Sequence, residues 1–177
     1  MVGRFVSMRI KRERRKKALS LVEALAASMI LAITVMAVAS ALMAGAQESY
    51  EALHTRRAAE LAEALMEEII ALPYCDPEDG DCTLSLGPEG GETDRTLFDN
   101  VDDFHNYAEA AGAVVDAAGT AYPAEYARYA RSVSIAQASL QPAGFAAAVA
   151  GVTVTVTVDL DGRTLATTQR FVAAPAS

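Results

Sequence analysis

The chain predicts an α+β fold, a long N-terminal helix packed on a small C-terminal antiparallel sheet, and three stretches carry that prediction. The first is an apolar run from Leu19 to Ala46 whose only formal charge is Glu23. The second, Gln47 to Leu72, lacks proline and is built from Ala, Glu, Leu and Arg, with apolar residues returning at helical spacing. In the third, Val152 to Ala173, valine and threonine alternate up to Asp161-Gly162, after which the chain returns.

At about 1.5 Å per residue the run from Leu19 to Ala46 crosses a hydrocarbon core of about 30 Å with some tilt, so it reads as a transmembrane helix. It outlasts the apolar core of a cleaved secretory signal peptide, which is about 7 to 15 residues long. Residues 1–18 form a basic leader that starts at Met1 or Met8 and contains Lys11-Arg12-Glu13-Arg14-Arg15-Lys16-Lys17. Through Lys17 there are eight Lys or Arg and one acid; beyond it there are seven Arg and twenty-two acids, so the net charge of −8 divides into +7 and −15. Positive charge stays on the cytoplasmic side, which places the acidic part outside. An acidic exported domain argues against a nucleic-acid partner. Glu23 is the anomaly of the span: an acid there costs about 2.5 to 3.5 kcal/mol and needs a cation beside it.

The basic leader, the small residue Ala18, the bulky Leu19, Glu23 at the fifth place beyond that junction and the uninterrupted span together resemble the type III signal of type IV pilins and pseudopilins. Ala18 stands where that family usually has Gly, and Leu19 where it usually has Phe. The resemblance implies that a prepilin peptidase cuts between Ala18 and Leu19, that Leu19 becomes an N-methylated N-terminus, and that Glu23 pairs with the N-terminal amine of a neighbouring subunit. It also implies a pilin-like fold and, as partners, other pilin or pseudopilin subunits, an inner-membrane assembly platform and the membrane itself. The chain would pass the inner membrane once, N-terminus cytoplasmic, and enter a filament on assembly. A second similarity, carried by Ile70-Ala71-Leu72-Pro73-Tyr74 and by Phe98-Asp99-Asn100-Val101-Asp102-Asp103-Phe104-His105, is to minor pilins related to the mannose-sensitive haemagglutinin pilus biogenesis proteins.

The expected function is that of a minor pilin or pseudopilin in a type IV pilus or a type II secretion system. Its rivals are a signal-anchored periplasmic receptor or adhesin module and a tethered periplasmic enzyme. An enzyme needs a cluster of titratable groups, whereas histidine occurs only at His54 and His105 and no nucleophile sits beside a base. No catalytic residue, metal site or cofactor is therefore expected.

In the amphipathic half, 47–72, Leu53, Leu61, Leu65, Ile69 and Leu72 form one face with Ala58 and Ala62, while Glu60, Glu63, Glu67 and Glu68 lie largely opposite. Pro73 ends this helix, which from Leu19 to Leu72 spans on the order of 80 Å, with Gly45 its weakest backbone position. The exported globular domain is 73–177. Its opening, Tyr74 to Asp94, reads as a loop holding the only two cysteines, Cys75 and Cys82. They lie on the exported side and flank turn-forming residues, so a disulfide is predicted. A cation site from Asp76, Glu78, Asp79 and Asp81 is the alternative for that loop.

Thr96 to Tyr107 follows neither the helical nor the strand period. Asp99, Asp102 and Asp103 read as capping acids of a solvated turn, with a divalent cation as the alternative, and His105 as a hydrogen-bonded structural residue. Tyr107 to Pro123 is either a short helix or an irregular connection. Tyr126 to Leu140 reads as a strand with Tyr129, Arg131, Val133, Ile135 and Gln137 on one face, broken by Gln141-Pro142-Ala143-Gly144. In the hairpin that follows, a two-residue turn sets Val158 opposite Leu165, Val152 opposite Phe171 and Thr155 opposite Thr168.

Overall fold

The computed structural model of the protein describes residues 20–78, 80, 82, 85–144 and 146–175. The leader and the Ala18–Leu19 junction lie outside the described residues, as do Asp79 and Asp81 of the cysteine loop. The chain forms two compact units, one ending at Gln47 and the other running from Glu48 to Ser177.

Helix α1 is Leu21–Ile70. It starts where Ser20 Oγ accepts the Glu23 amide at 3.2 Å, an N-cap that satisfies one of the first-turn donors. It ends at Ile70, short of the expected Leu72, after which the Ala71 amide donates to Glu67 O at 3.2 Å and the Leu72 amide to Ile69 O at 3.1 Å. Pro73 accounts for the earlier end, since its ring disfavours helical backbone in the residue before it and it has no N–H to continue the ladder.

In the second unit the sheet has four strands: β1 Ala108–Glu109, β2 Tyr129–Leu140, β3 Val149–Leu160 and β4 Arg163–Ala173. Each pairs antiparallel with the next, in the order β1-β2-β3-β4. Ala58, Leu61, Ala62, Leu65, Met66 and Ile69 of α1 share one core with Tyr129, Val133 and Ile135 of β2 and with Val152, Val154, Val156 and Val158 of β3. Steps of three and four residues keep this face of α1 on one side, and steps of two do the same for the strands. Leu53 departs from the expected face, being 46% exposed. His54 is buried in its place, with Nδ1 2.5 Å from the Tyr129 hydroxyl. Of the acids, Glu60 and Glu67 are exposed, whereas Glu63 and Glu68 are half-buried and paired.

The β3–β4 turn is the predicted one. Asp161 and Gly162 have φ of +50° and +78°, the positive values that a tight two-residue turn demands at both places. The expected register survives only next to the turn, at Leu160–Arg163 and Asp159–Thr164; an irregularity between Val158 and Asp159 then shifts it by one. Val158 therefore faces Ala166 rather than Leu165, Val152 faces Val172 rather than Phe171, and Thr155 faces Gln169 rather than Thr168. A slip of one residue exchanges the two faces of a strand. Its consequence is that Thr168 and Arg170 reach Glu63 of α1, at 3.1 and 3.3 Å. Phe171 instead lies against Gly151, where an added Cβ would stand 2.8 Å from the ring and 2.2 Å from Val172 O. Only glycine permits that approach.

Thr96 to Tyr107 enters as two 3₁₀ turns, Arg95–Leu97 and Asp102–Phe104. Their three-residue repeat is the reason neither familiar period is visible in the sequence. Tyr107 to Pro123 contains β1 and a bridge between Val115 and Ala121, so it is an irregular connection and not a helix. Tyr126 belongs to a third 3₁₀ turn, Ala124–Tyr126, and β2 accordingly begins later than expected, at Tyr129.

Candidate functional site

Every residue from Ser20 to Gln47 is exposed, including Leu21 at 80%, Met29 at 67% and Leu42 at 70%. A helix that is apolar all round has no polar face to turn to water, the pattern of a membrane anchor or a signal sequence. The helix is long and apolar enough to cross a membrane. Two of its hydroxyls are satisfied from within: Ser28 donates to Leu25 O at 2.9 Å and Thr34 to Ile30 O. Back-bonding of this kind gives a hydroxyl donor a partner in apolar surroundings.

Glu23 lies in the first turn of α1. Ser20-Leu21-Val22-Glu23 has the S-x-x-E spacing of a capping box, a sign legible in the sequence but overshadowed there by the charge itself. The helix dipole favours a carboxylate at this end by about 0.3 to 1 kcal/mol, less than the roughly 2.5 to 3.5 kcal/mol that an acid costs in hydrocarbon. Between Ser20 and Thr55 the chain has no Lys or Arg.

The second unit holds a network of four charged side chains, Glu109 and Arg131 buried and Glu68 and Arg95 half-buried, that sequence reasoning missed apart from the inward place of Arg131. Glu109 receives Arg131 Nε on one oxygen, at 2.5 Å, and Arg95 Nη1 on the other, at 2.8 Å. Arg95 also donates through Nε and Nη2 to both oxygens of Glu68, a two-point contact suited to the planar guanidinium. The remaining donors of Arg131 find Leu61 O at 3.3 Å and Val115 O at 2.6 Å. Tyr107 closes the group by donating to Glu109 Oε1 at 2.9 Å, and burial followed by the Glu109 charge raises its phenol pKa. Burial lowers the pKa of Arg95, but the bonds to Glu68 outweigh it and the net shift is upward. Two positive and two negative groups thus cancel. The alternation Tyr129-x-Arg131-x-Val133 already placed Arg131 inward; Arg95, Glu68 and Glu109 come from three other segments and no spacing joins them.

The acids of the loop are arranged differently. Asp103, fully buried, accepts the amides of Asp99 and Asn100 on Oδ2, each at 3.0 Å, while Asn100 Oδ1 takes the amides of Asp102 and Asp103 at 2.9 and 3.2 Å. These bonds make the expected capping role of Asp103 real, in a turn that is buried and not solvated. Carboxylate oxygens of Glu89, Glu92 and Asp103 come within 4.8 Å of one another. Asp102 is not in that group, and Asp99 serves through its amide. Partial burial, then hydrogen bonding with Asp103 and Glu92, pushes the Glu89 carboxyl up to about 8. Asp102 is pushed up to about 6 by burial and then by the Asp103 charge, and Glu92 and Asp99 rise as well, burial being the largest cause in both.

Cys75 and Cys82 are bonded in this region, with sulfurs 2.01 Å apart and Cα atoms 4.2 Å apart. Asp76 and Glu78 inside the bridged loop are turn formers, the Asp76 carboxylate accepting the Glu78 amide at 2.7 Å. His105 Nδ1 accepts the Ile135 amide at 3.2 Å, the structural role expected of it. Compared with protein-family models, with curated proteins and with solved structures, the chain matches none.

Proposed function

We propose that the protein is a minor pilin or pseudopilin, cut by a prepilin peptidase between Ala18 and Leu19, N-methylated at Leu19, and assembled into a type IV pilus or a type II secretion pseudopilus. The observation that carries this reading is the exposed apolar stretch of α1, with its lone acid Glu23 at the fifth place beyond a small-bulky junction that follows a basic leader. The inner membrane holds the subunit before assembly, with the acidic unit exported. In the filament, helices of neighbouring subunits replace lipid around Leu21 to Gln47, and the amine of a neighbour's Leu19 supplies the cation that Glu23 lacks. Burial is non-specific, and the ion pair sets register, because an unmatched charge in that core costs several kcal/mol. No chemical step is assigned to the protein.

The decisive measurement is the mature N-terminus, by sequencing and intact mass, from cells with and without the peptidase. Leu19 is expected only when the peptidase is present; Met1, Met8 or a residue inside the span in both would refute the reading. Glu23→Leu is expected to insert in the membrane and to be cut largely as before, yet to be lost from filaments.

The Ser20 cap favours a second reading, a signal-anchored periplasmic receptor or adhesin module, because it gives Glu23 a local place in the helix start without any neighbour. That reading requires an uncut leader, so the same mass measurement separates the two.

A further inference from the structure

We propose that Glu89, Glu92 and the free oxygen of Asp103 form a binding site for a hard divalent cation, calcium by its size. Asp103 is the anchor. Its side chain is fully buried and its Oδ2 is engaged by two backbone amides, whereas Oδ1 is buried with no hydrogen-bond partner among the described residues. A buried carboxylate oxygen left without a donor is expensive, and nearly all such groups in folded proteins are satisfied. The groups gathered with Asp103 are carboxylates, so without a cation a donor to it exists only where one of them keeps its proton. A cation satisfies all three together.

The donors suit calcium. One oxygen from each of the three residues lies within 4.8 Å of the others, close enough for a single ion to reach all three at the calcium–oxygen distance of about 2.3 to 2.6 Å. Magnesium, at about 2.0 to 2.1 Å, needs a tighter and more regular shell. The donors are all oxygen, and both cysteines are consumed in their disulfide, so no soft ligand competes for zinc. Glu89 and Glu92 also line a cavity of about 230 Å³ with Asp76, Glu78 and Asp99, and no basic residue among the described residues lines it. These acids and waters can complete a shell of six to eight oxygens.

The ion would join two segments that otherwise repel. Glu89 and Glu92 belong to the glycine-rich loop Gly87-Pro88-Glu89-Gly90-Gly91-Glu92, held to the turn by the Gly87 amide on Asp102 O at 3.1 Å. Asp103 belongs to the turn that inserts Phe104 into the core. Binding therefore fastens a surface loop to the buried core. This site stands apart from the membrane segment, so its test does not depend on the pilin reading.

The test is thermal and urea unfolding of the purified full chain in detergent micelles, in 10 mM calcium chloride, in 10 mM magnesium chloride and in chelator at matched ionic strength. For dissociation constants of about 10⁻⁴ to 10⁻³ M, usual for extracellular calcium modules, 10 mM calcium raises the folded-to-unfolded ratio by about 10- to 100-fold. Glu89→Gln with Glu92→Gln, the first exposed and the second half-buried with an oxygen on the Glu89 amide that glutamine can also supply, is expected to fold normally in chelator and to lose that calcium response. Asp103→Asn is expected to weaken calcium binding too, but it also touches the turn, so the double glutamine variant decides. An absent calcium response, an equal response to magnesium, or a response retained in the double variant would each overturn the proposal.

Discussion

The second unit of the molecule gathers charged side chains in two places, and it balances them in opposite ways. Around Glu109, two guanidinium groups and two carboxylates neutralise one another, and backbone carbonyls take the remaining donors. Around Asp103, carboxylates meet carboxylates with no basic side chain at the site among the described residues. A buried charge is held by opposite charges and hydrogen-bond partners beside it, whereas carboxylates crowded together disfavour one another's ionised form. The first arrangement is complete within this chain; the second waits for something from outside it.

Breaking the balanced group has the largest expected effect. Arg131→Leu strips one partner from Glu109, removes the side-chain donor to Leu61 O and leaves Val115 O with Arg95 Nη1 alone, and is expected to lower stability by about 3 to 5 kcal/mol, read as a fall in the urea midpoint. If the midpoint moves by less than about 1 kcal/mol in equivalent stability, the network is not a buried unit. Next in size is the constraint beside the acidic group. Cys75→Ser with Cys82→Ser opens a loop of sequence separation 7 and is expected to cost roughly 2 to 3 kcal/mol on the chain-entropy model, with the sheet retained by circular dichroism. Alkylation of the exported, non-reduced wild type should find no free thiol.

The comparison is sharpest when the same change is made on both sides. Removing one negative charge by Glu109→Gln is expected to destabilise the protein, because two guanidinium groups lose their shared partner. Removing one by Glu89→Gln, in chelator and at a pH above the raised Glu89 value of about 8, is expected to leave stability unchanged or raise it by up to about 1 kcal/mol, since a repulsion between ionised carboxylates is relieved at a site open to solvent. Equal signs for the two would erase the distinction. Smallest is the surface pair Arg128–Asp161 at the hairpin turn. The Arg128 hydrogen bond holds the Asp161 carboxyl below its ordinary 3.8, so the contribution of this pair is present above that pH and lost as pH falls through the depressed value. In Asp161→Asn, which keeps a residue tolerant of positive φ, the acid limb of the stability profile should become slightly shallower, and added salt should hide the difference.

Short-range pattern made most of the framework legible. The apolar run, the proline that ends α1, the inward face of β2 and the Asp161-Gly162 turn were all readable, because each depends on residues a few positions apart. The cysteine pair was readable for a similar reason, being the only two and close in sequence. His54 was hidden because leucine is the better guess for an inward helical position, and its burial depends on Tyr129, seventy-five residues away.

What the sequence by itself determined is the division of labour: a charge-poor helix with one acid near its start, then an acidic α+β unit, with the element types set by local period and turn chemistry. What only the tertiary structure decided is which charges meet. A one-residue irregularity at Val158 and Asp159 turned Thr168 and Arg170 towards Glu63, and no propensity scale marks that place. Glu68, Arg95, Glu109 and Arg131 lie on four separate segments, as Glu89 and Glu92 lie on a different segment from Asp103. Their interaction energies depend on distances of a few ångströms and on exclusion of water, both of which come into being only when the core closes.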